Sequence, residues 1–210
     1  MPCMDNDVLR RGKPTVHVQF GEAQALLAGD ALQAFAFELL TPDNTLIPAA
    51  MQAALCRLLA RAAGSAGMAG GQAIDLASVG VALTEAQLRQ MHRLKTGALL
   101  QGSVLMGALC GHAAPTAYQA LSDYGAAMGL AFQVVDDILD VVADSVTLGK
   151  TAGKDAAADK PTYVSLLGLE RAQAYAQELL AEAHAALGRS GLPDTRALAA
   201  LADMVVRRSH

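Results

Sequence analysis

At 210 residues, with 53% apolar, 17% charged and 4% aromatic content, the chain is long enough to bury a full-sized core and too apolar to be disordered. Alanine and leucine dominate while β-branched and aromatic residues are scarce, which suits helices and not sheets, so the expected fold class is all-α. Sixteen basic residues against twenty acidic ones give a net charge of −4. No molecule-wide positive field is available for nucleic acid or an anionic membrane, and any anion has to be captured locally.

No repeat, low-complexity tract or long linker divides the sequence, so residues 1–210 are read as a single domain. A polar segment through residue 15 leads into a predicted helix over 17–40. Leu26, Leu27, Leu32, Phe35, Phe37, Leu39 and Leu40 make it apolar almost all the way round, which places it at the centre of a bundle and leaves Asp30 in need of a basic or hydroxyl partner. Thr41-Pro42-Asp43-Asn44 ends it, and a second helix follows over 46–63. The glycine-rich run 64–71 permits a bend before a short helix over 72–78, where Gly70, Gly71, Gln72 and Asp75 read as helix-start and packing features. Thr84 and Gln87 form a capping box that opens a helix to about 110, and Pro115 starts another to about 143. A polar loop over 144–161, punctuated by Gly149 and Gly153, precedes two amphipathic helices over 164–187 and 193–208.

The longest stretch without Asp, Glu, Lys or Arg, from Thr96 to Ser122, is broken by Gly102, Gly107, Gly111, His112 and Pro115 before it makes a membrane span. The N-terminus lacks the basic-then-apolar run of a secretory signal, so the expected location is the cytoplasm. Cys3, Cys56 and Cys110 lack metal-ligand spacing and read as buried free thiols of a reducing compartment.

The residues with the clearest chemical pattern lie in Phe132-Gln-Val-Val-Asp-Asp-Ile-Leu-Asp140. At about 100° per residue, Gln133, Asp136 and Asp140 fall within roughly 60° of one another and Asp137 at the edge of the same arc. Like charges one turn apart repel, more so among apolar neighbours, so a cation is expected there. Hard carboxylate oxygens at this spacing suit Mg²⁺, which takes water and phosphate oxygens for its remaining positions. The competing reading is a solvated acidic face, but Phe132, Val134, Val135, Ile138, Leu139 and Val141 leave solvent little room. Lys95 is the last charge before the long uncharged run; it either meets an anion such as a diphosphate or extends outward along its own stem. Lys150 and Lys160, on the loop past the aspartates, are placed to fold back over the same pocket or to stay on the surface. Arg10 and Arg11, ahead of Gly12 and Pro14, offer fork-shaped donors matched to phosphate. His92, one turn before Thr96, either lines the pocket or is an ordinary half-buried histidine. Sequence patterns for a di-iron bundle, a serine hydrolase or a P-loop NTPase do not occur.

Taken in order, LRRGKPT, FGEAQALLAGDAL, GGQAIDL, LKTGAL, FQVVDDILD, TLGKTAGKDAAADKPTYVSLLGLE and LADMVVRR resemble the motifs of the trans isoprenyl diphosphate synthases, above all the bacterial farnesyl diphosphate synthases. The resemblance covers essentially the whole chain, spacings included. It implies an isoprenoid-synthase helical bundle with a central cavity, acting as a Mg²⁺-dependent homodimer that condenses an allylic diphosphate (dimethylallyl or geranyl) with isopentenyl diphosphate. On that footing Asp136, Asp137 and Asp140 hold Mg²⁺ with Asp5, the last aspartate of the family's first motif. Arg10 contacts the allylic diphosphate and Arg11 isopentenyl diphosphate, while Lys95, Thr96, Gln133, Lys150 and Lys160 surround the ionising group. The resemblance also implies that the first aspartate pair and the isopentenyl-binding helices precede Met1, as if a leucine codon had been taken as a start. Little condensation activity and an uncovered apolar helix are then expected, with self-association or loose packing as the consequence.

Two other functions compete. A terpene cyclase would also ionise a diphosphate with helical aspartates, but the lack of Trp and the 4% aromatic content argue against a cation-steering aromatic cavity. A non-catalytic helical subunit or fragment that pairs with a complete synthase is the reading from a different class.

Overall fold

A computed structural model describes residues 4, 6–43, 46–142 and 161–208. Among them the only strands are β1 (Leu9–Arg10) and β2 (Lys13–Pro14), paired antiparallel as a minimal hairpin. The rest of the regular structure is helical, as the composition indicates. The helices are α1 (Val16–Phe20), α2 (Glu22–Leu40), α3 (Ala49–Ala63), α4 (Met68–Ala77), α5 (Glu85–His92), a π turn (Arg93–Gly97), α6 (Ala98–Cys110), α7 (Pro115–Val142), α8 (Tyr163–Leu167), α9 (Leu169–Arg189) and α10 (Arg196–Arg207).

The core is built around α7. Ala117, Ala120, Leu121, Tyr124, Ala127, Met128, Ala131, Val134, Val135, Ile138 and Leu139 are all buried on it, against Ala172, Tyr175, Ala176, Leu179, Leu180 and Ala183 of α9. Burial of that much apolar surface at ~25 cal/mol per Å² is the main stabilising term. On another side α7 carries Gly125 and Gly129 one turn apart. A Cβ on Gly125 would lie 2.8 Å from Gln101 Cα, and one on Gly129 only 2.5 Å from Gly97 Cα. The two glycines let α6 and the π turn approach backbone to backbone, and the same stripe continues one turn on into Gln133.

Local signals set most of the boundaries. Thr84 and Gln87 cap α5 reciprocally, and Thr162 with Ser165 does the same for α8. Two helices expected to be continuous are broken at glycines with positive φ: Gly21 (φ 92°) separates α1 from α2, and Gly168 (φ 81°) separates α8 from α9. The helix expected over 84–110 is interrupted by the π turn, and Gly70 and Gly71 lie inside α4 rather than ahead of it.

The expectation that the helix over 17–40 sits at the centre of the bundle is not met. No residue of α1 or α2 is buried; α2 packs on α1 and α3 and leaves Leu26, Leu27, Leu32, Phe35 and Leu39 about half or more exposed. Asp30 is therefore a solvated side chain rather than a buried one. The thiols differ from expectation too: Cys110 is exposed and Cys56 half-buried, while Cys3 lies outside the described residues. Among the described residues no helix is long and apolar enough to cross a membrane.

Candidate active site

The π turn is the pivot of the site. Its three consecutive residues 95–97 are each engaged by a different neighbour. Lys95 Nζ donates to Asp75 Oδ2 of α4 at 2.7 Å, Thr96 Oγ1 donates to Gln133 Oε1 of α7 at 3.1 Å, and Gly97 lies against Gly129. A π turn closes i→i+5 rather than i→i+4 and is frequent at functional sites. Here it presents two polar side chains from one short stretch to two separate helices.

From Gln133 the network runs on. Its amide Nε2 donates to Asp137 Oδ1 at 2.8 Å, and the Tyr163 backbone N–H donates to Asp137 Oδ2 at 2.8 Å. Asp137 is only 2% exposed. It takes the free N–H at the first position of α8, where a carboxylate satisfies an orphan donor and the positive end of the helix dipole. Both of its oxygens are thus engaged by the protein. Asp140 is 5% exposed. Asp136 is half-exposed, with Arg208 Nη2 3.6 Å from its Oδ1. Arg208 also donates to Phe132 O at 3.0 Å and stacks 4.0 Å from the centre of the Phe132 ring. Burial pushes its guanidinium below the ordinary arginine value, and the charge of Asp136 offsets part of that.

His92 closes α5 immediately before the π turn. It is 5% exposed and packs 5.6 Å, centre to centre, from the Tyr163 ring, and neither ring nitrogen has a hydrogen-bond partner among the described residues. Burial, then the nearby Lys95 charge, lowers its pKa to about 4, with Asp75 and Asp136 opposing. It is neutral at physiological pH. Tyr163, fully buried, has its phenol pushed well above its ordinary value by the same desolvation.

The arginines sit on the hairpin. Arg11 (φ 52°) and Gly12 (φ 71°) both have positive φ, the requirement of the two-residue turn that matches strand twist. Arginine is an uncommon residue in that conformation. The hairpin base is clasped by Thr15, whose backbone N–H donates to Val8 O at 3.1 Å and whose hydroxyl donates to Asp7 O at 2.7 Å. Arg10 and Arg11 are exposed.

Of the residues singled out in the sequence, the structure joins Thr96, Gln133 and Asp137 in one hydrogen-bonded network, with Asp136 and Asp140 on the same helix as Gln133, while Lys95, next to Thr96 in the chain, bonds Asp75 instead. Asp5, Lys150 and Lys160 lie outside the described residues. Sequence reasoning missed two members. Asp75, taken for a packing feature, is a buried carboxylate paired with Lys95, and Arg208 reaches back to Asp136. Among the described residues no three His, Cys, Asp or Glu side chains cluster as a metal cage. Asp136 and Asp140, one turn apart, offer two hard oxygen donors. Carboxylate oxygens are the kind of donor that Mg²⁺ takes alongside water and phosphate.

Residues 3–191 match the polyprenyl synthetase family. The chain is 53% identical to a probable farnesyl diphosphate synthase of Sinorhizobium fredii, over 100% of this chain and 62% of the relative. It is 47% identical to the farnesyl diphosphate synthase of Escherichia coli, over 100% of this chain and 71% of that protein. It therefore spans less than two thirds of the length of the Sinorhizobium relative. Among solved structures, the geranyltransferase of Helicobacter pylori, complexed with magnesium and isoprenyl diphosphate, superimposes with a TM-score of 0.83 at 38% identity, over 98% of this chain and 66% of that one.

Proposed function

The chain belongs to the polyprenyl synthetase family, and we propose that its site serves a Mg²⁺-dependent condensation of an allylic diphosphate with isopentenyl diphosphate to a short-chain, farnesyl-type product. The observation that carries this reading is the continuous network Thr96–Gln133–Asp137–Tyr163, which ties the lysine-bearing π turn to the aspartate helix. The turn that carries the cationic Lys95 and the helix that carries the acidic stripe are thereby joined through buried and half-buried polar side chains.

In this reading Asp136 and Asp140, with Asp5 outside the described residues, hold Mg²⁺, whose chemistry is to neutralise the charge that builds on the departing diphosphate. Asp137 shapes the stripe by anchoring Gln133 and the start of α8. Lys95, with Lys150 and Lys160 from beyond the described residues, donates to diphosphate oxygens. Arg10 and Arg11 grip the two substrates' phosphates from the rigid hairpin. Thr96 and Gln133 present oxygen atoms to the developing allylic cation, and the aliphatic surroundings exclude the water that would quench it. No titratable base is needed where the departing diphosphate accepts the proton. Homodimer formation and a cytoplasmic location belong to the same reading.

Incubation of the chain with labelled isopentenyl diphosphate, geranyl diphosphate and Mg²⁺ tests it. A low yield of labelled product is expected, with a further loss on the order of 10²-fold or more in kcat/KM for Asp136→Ala. A chain that neither turns over nor binds magnesium pyrophosphate overturns the proposal. The apolar face of α2 favours a second reading, a non-catalytic subunit that pairs with a complete synthase. That reading predicts no product alone and co-elution with such a synthase.

A further inference from the structure

Asp75 has no part in that chemistry, yet its carboxylate is 4% exposed on α4 and its hydrogen-bond partner is Lys95 Nζ at 2.7 Å. A carboxylate buried to that degree persists only when paired, and removing one partner of such a pair strands a charge. Lys95 is the less buried member, its side chain 28% exposed, so the pair sits where one end meets solvent or substrate.

The backbone of the π turn is held by its neighbours. A Cβ on Gly71 would lie 2.1 Å from Lys95 N, and one on Gly129 would lie 2.5 Å from Gly97 Cα; Thr96 between them is bonded to Gln133. What remains free is the lysine stem, which would otherwise extend toward water. Asp75 lies four residues after Gly71, on the same face of α4, so the helix that touches the Lys95 backbone also presents the carboxylate that catches its ammonium. The contact is charge-assisted and uses one of three ammonium hydrogens, leaving two for an incoming oxyanion. His92 cannot substitute: it is neutral at physiological pH, and its ring nitrogens bond nothing among the described residues.

We infer that Asp75 is a positioning residue that holds the Lys95 ammonium as a ready donor to the diphosphate of the allylic substrate, an inference that rests on the proposed role of Lys95. Calorimetric binding of magnesium pyrophosphate to wild type, Asp75→Ala, Asp75→Asn, Lys95→Met and the double variant Asp75→Asn/Lys95→Met tests it, with thermal midpoints recorded for each. Asp75→Ala is expected to lose affinity on the order of tenfold, as misplacement of a donor does. Asp75→Asn, which keeps an acceptor oxygen and the side-chain shape, is expected to lose less. The double variant is expected to bind no more weakly than Lys95→Met and to melt above it, because the stranded carboxylate is gone. If Asp75→Asn and Asp75→Ala bind like wild type, or if their losses add to that of Lys95→Met, the positioning role is wrong while the proposed function stands. Wild-type protein that binds no magnesium pyrophosphate removes the proposed function and the role together.

Discussion

The buried imidazole of His92 makes stability depend on pH in a predictable direction. Its folded value of about 4 lies below the ordinary 6.5, so between the two the unfolded chain binds a proton that the folded chain refuses. The stability carried by the neutral ring is complete above about pH 6.5 and disappears as the pH falls toward 4, a loss on the order of 3 kcal/mol. Urea unfolding at pH 7 and pH 4.5 should show His92→Leu losing less stability on acidification than wild type; an equal loss would contradict the buried neutral ring. At this scale the sequence was partly legible. The acidic stripe and Lys95-Thr96 could be read because charges are rare in an apolar helical chain, and rarity marks them. Asp75 and Arg208 could not, since their meaning lies in partners 20 and 72 positions away in sequence, a pairing that periodicity does not encode. For the same reason the tie between Asp137 and the start of α8 stayed hidden: the Tyr163 N–H that reaches it comes from 26 positions further along the chain.

Between elements, the contact that matters most is the glycine-to-glycine crossing of α7 on the π turn. Gly129→Ala would drive a methyl to 2.5 Å from Gly97 Cα, where neither backbone can yield without parting Thr96 from Gln133. The expected cost is about 1–3 kcal/mol, read as a lower denaturant midpoint, with weakened pyrophosphate binding alongside. Gly107→Ala in α6 is the control: nothing among the described residues lies within 4 Å of the added methyl, and it should stabilise by about 0.5–1 kcal/mol through backbone entropy. A Gly129→Ala variant as stable as wild type would mean the crossing is loose. Caps and breakers made the elements themselves readable, as the Thr84–Gln87 box and the glycine after residue 63 demonstrate. The breaks at Gly21 and Gly168 were not, because glycine within an otherwise helical pattern is tolerated as often as it interrupts.

For the whole molecule, burial is lopsided: α7 and α9 carry the core while α1 and α2 contribute no buried residue. An apolar surface of that kind drives association. Sedimentation at rising concentration should show self-association that Leu32→Glu with Phe35→Lys suppresses, and a wild-type monomer at all concentrations would contradict it. The sequence made α2 legible as apolar on every side, but an all-round apolar helix says only that something must cover it. The π turn has a further bearing on how such a chain tolerates change in length. Each of its loops holds one residue more than an ordinary helical turn, an extra residue taken up locally between α5 and α6. Deleting a single residue from 93–97 would let the turn close as ordinary α-helix with α5 and α6 near their present phase, so the expected loss is the divergent placing of Lys95 toward α4 and Thr96 toward α7. Homologous chains should therefore keep the spacing from the Thr84 cap to the Lys95-Thr96 dipeptide fixed even where the residues between them vary.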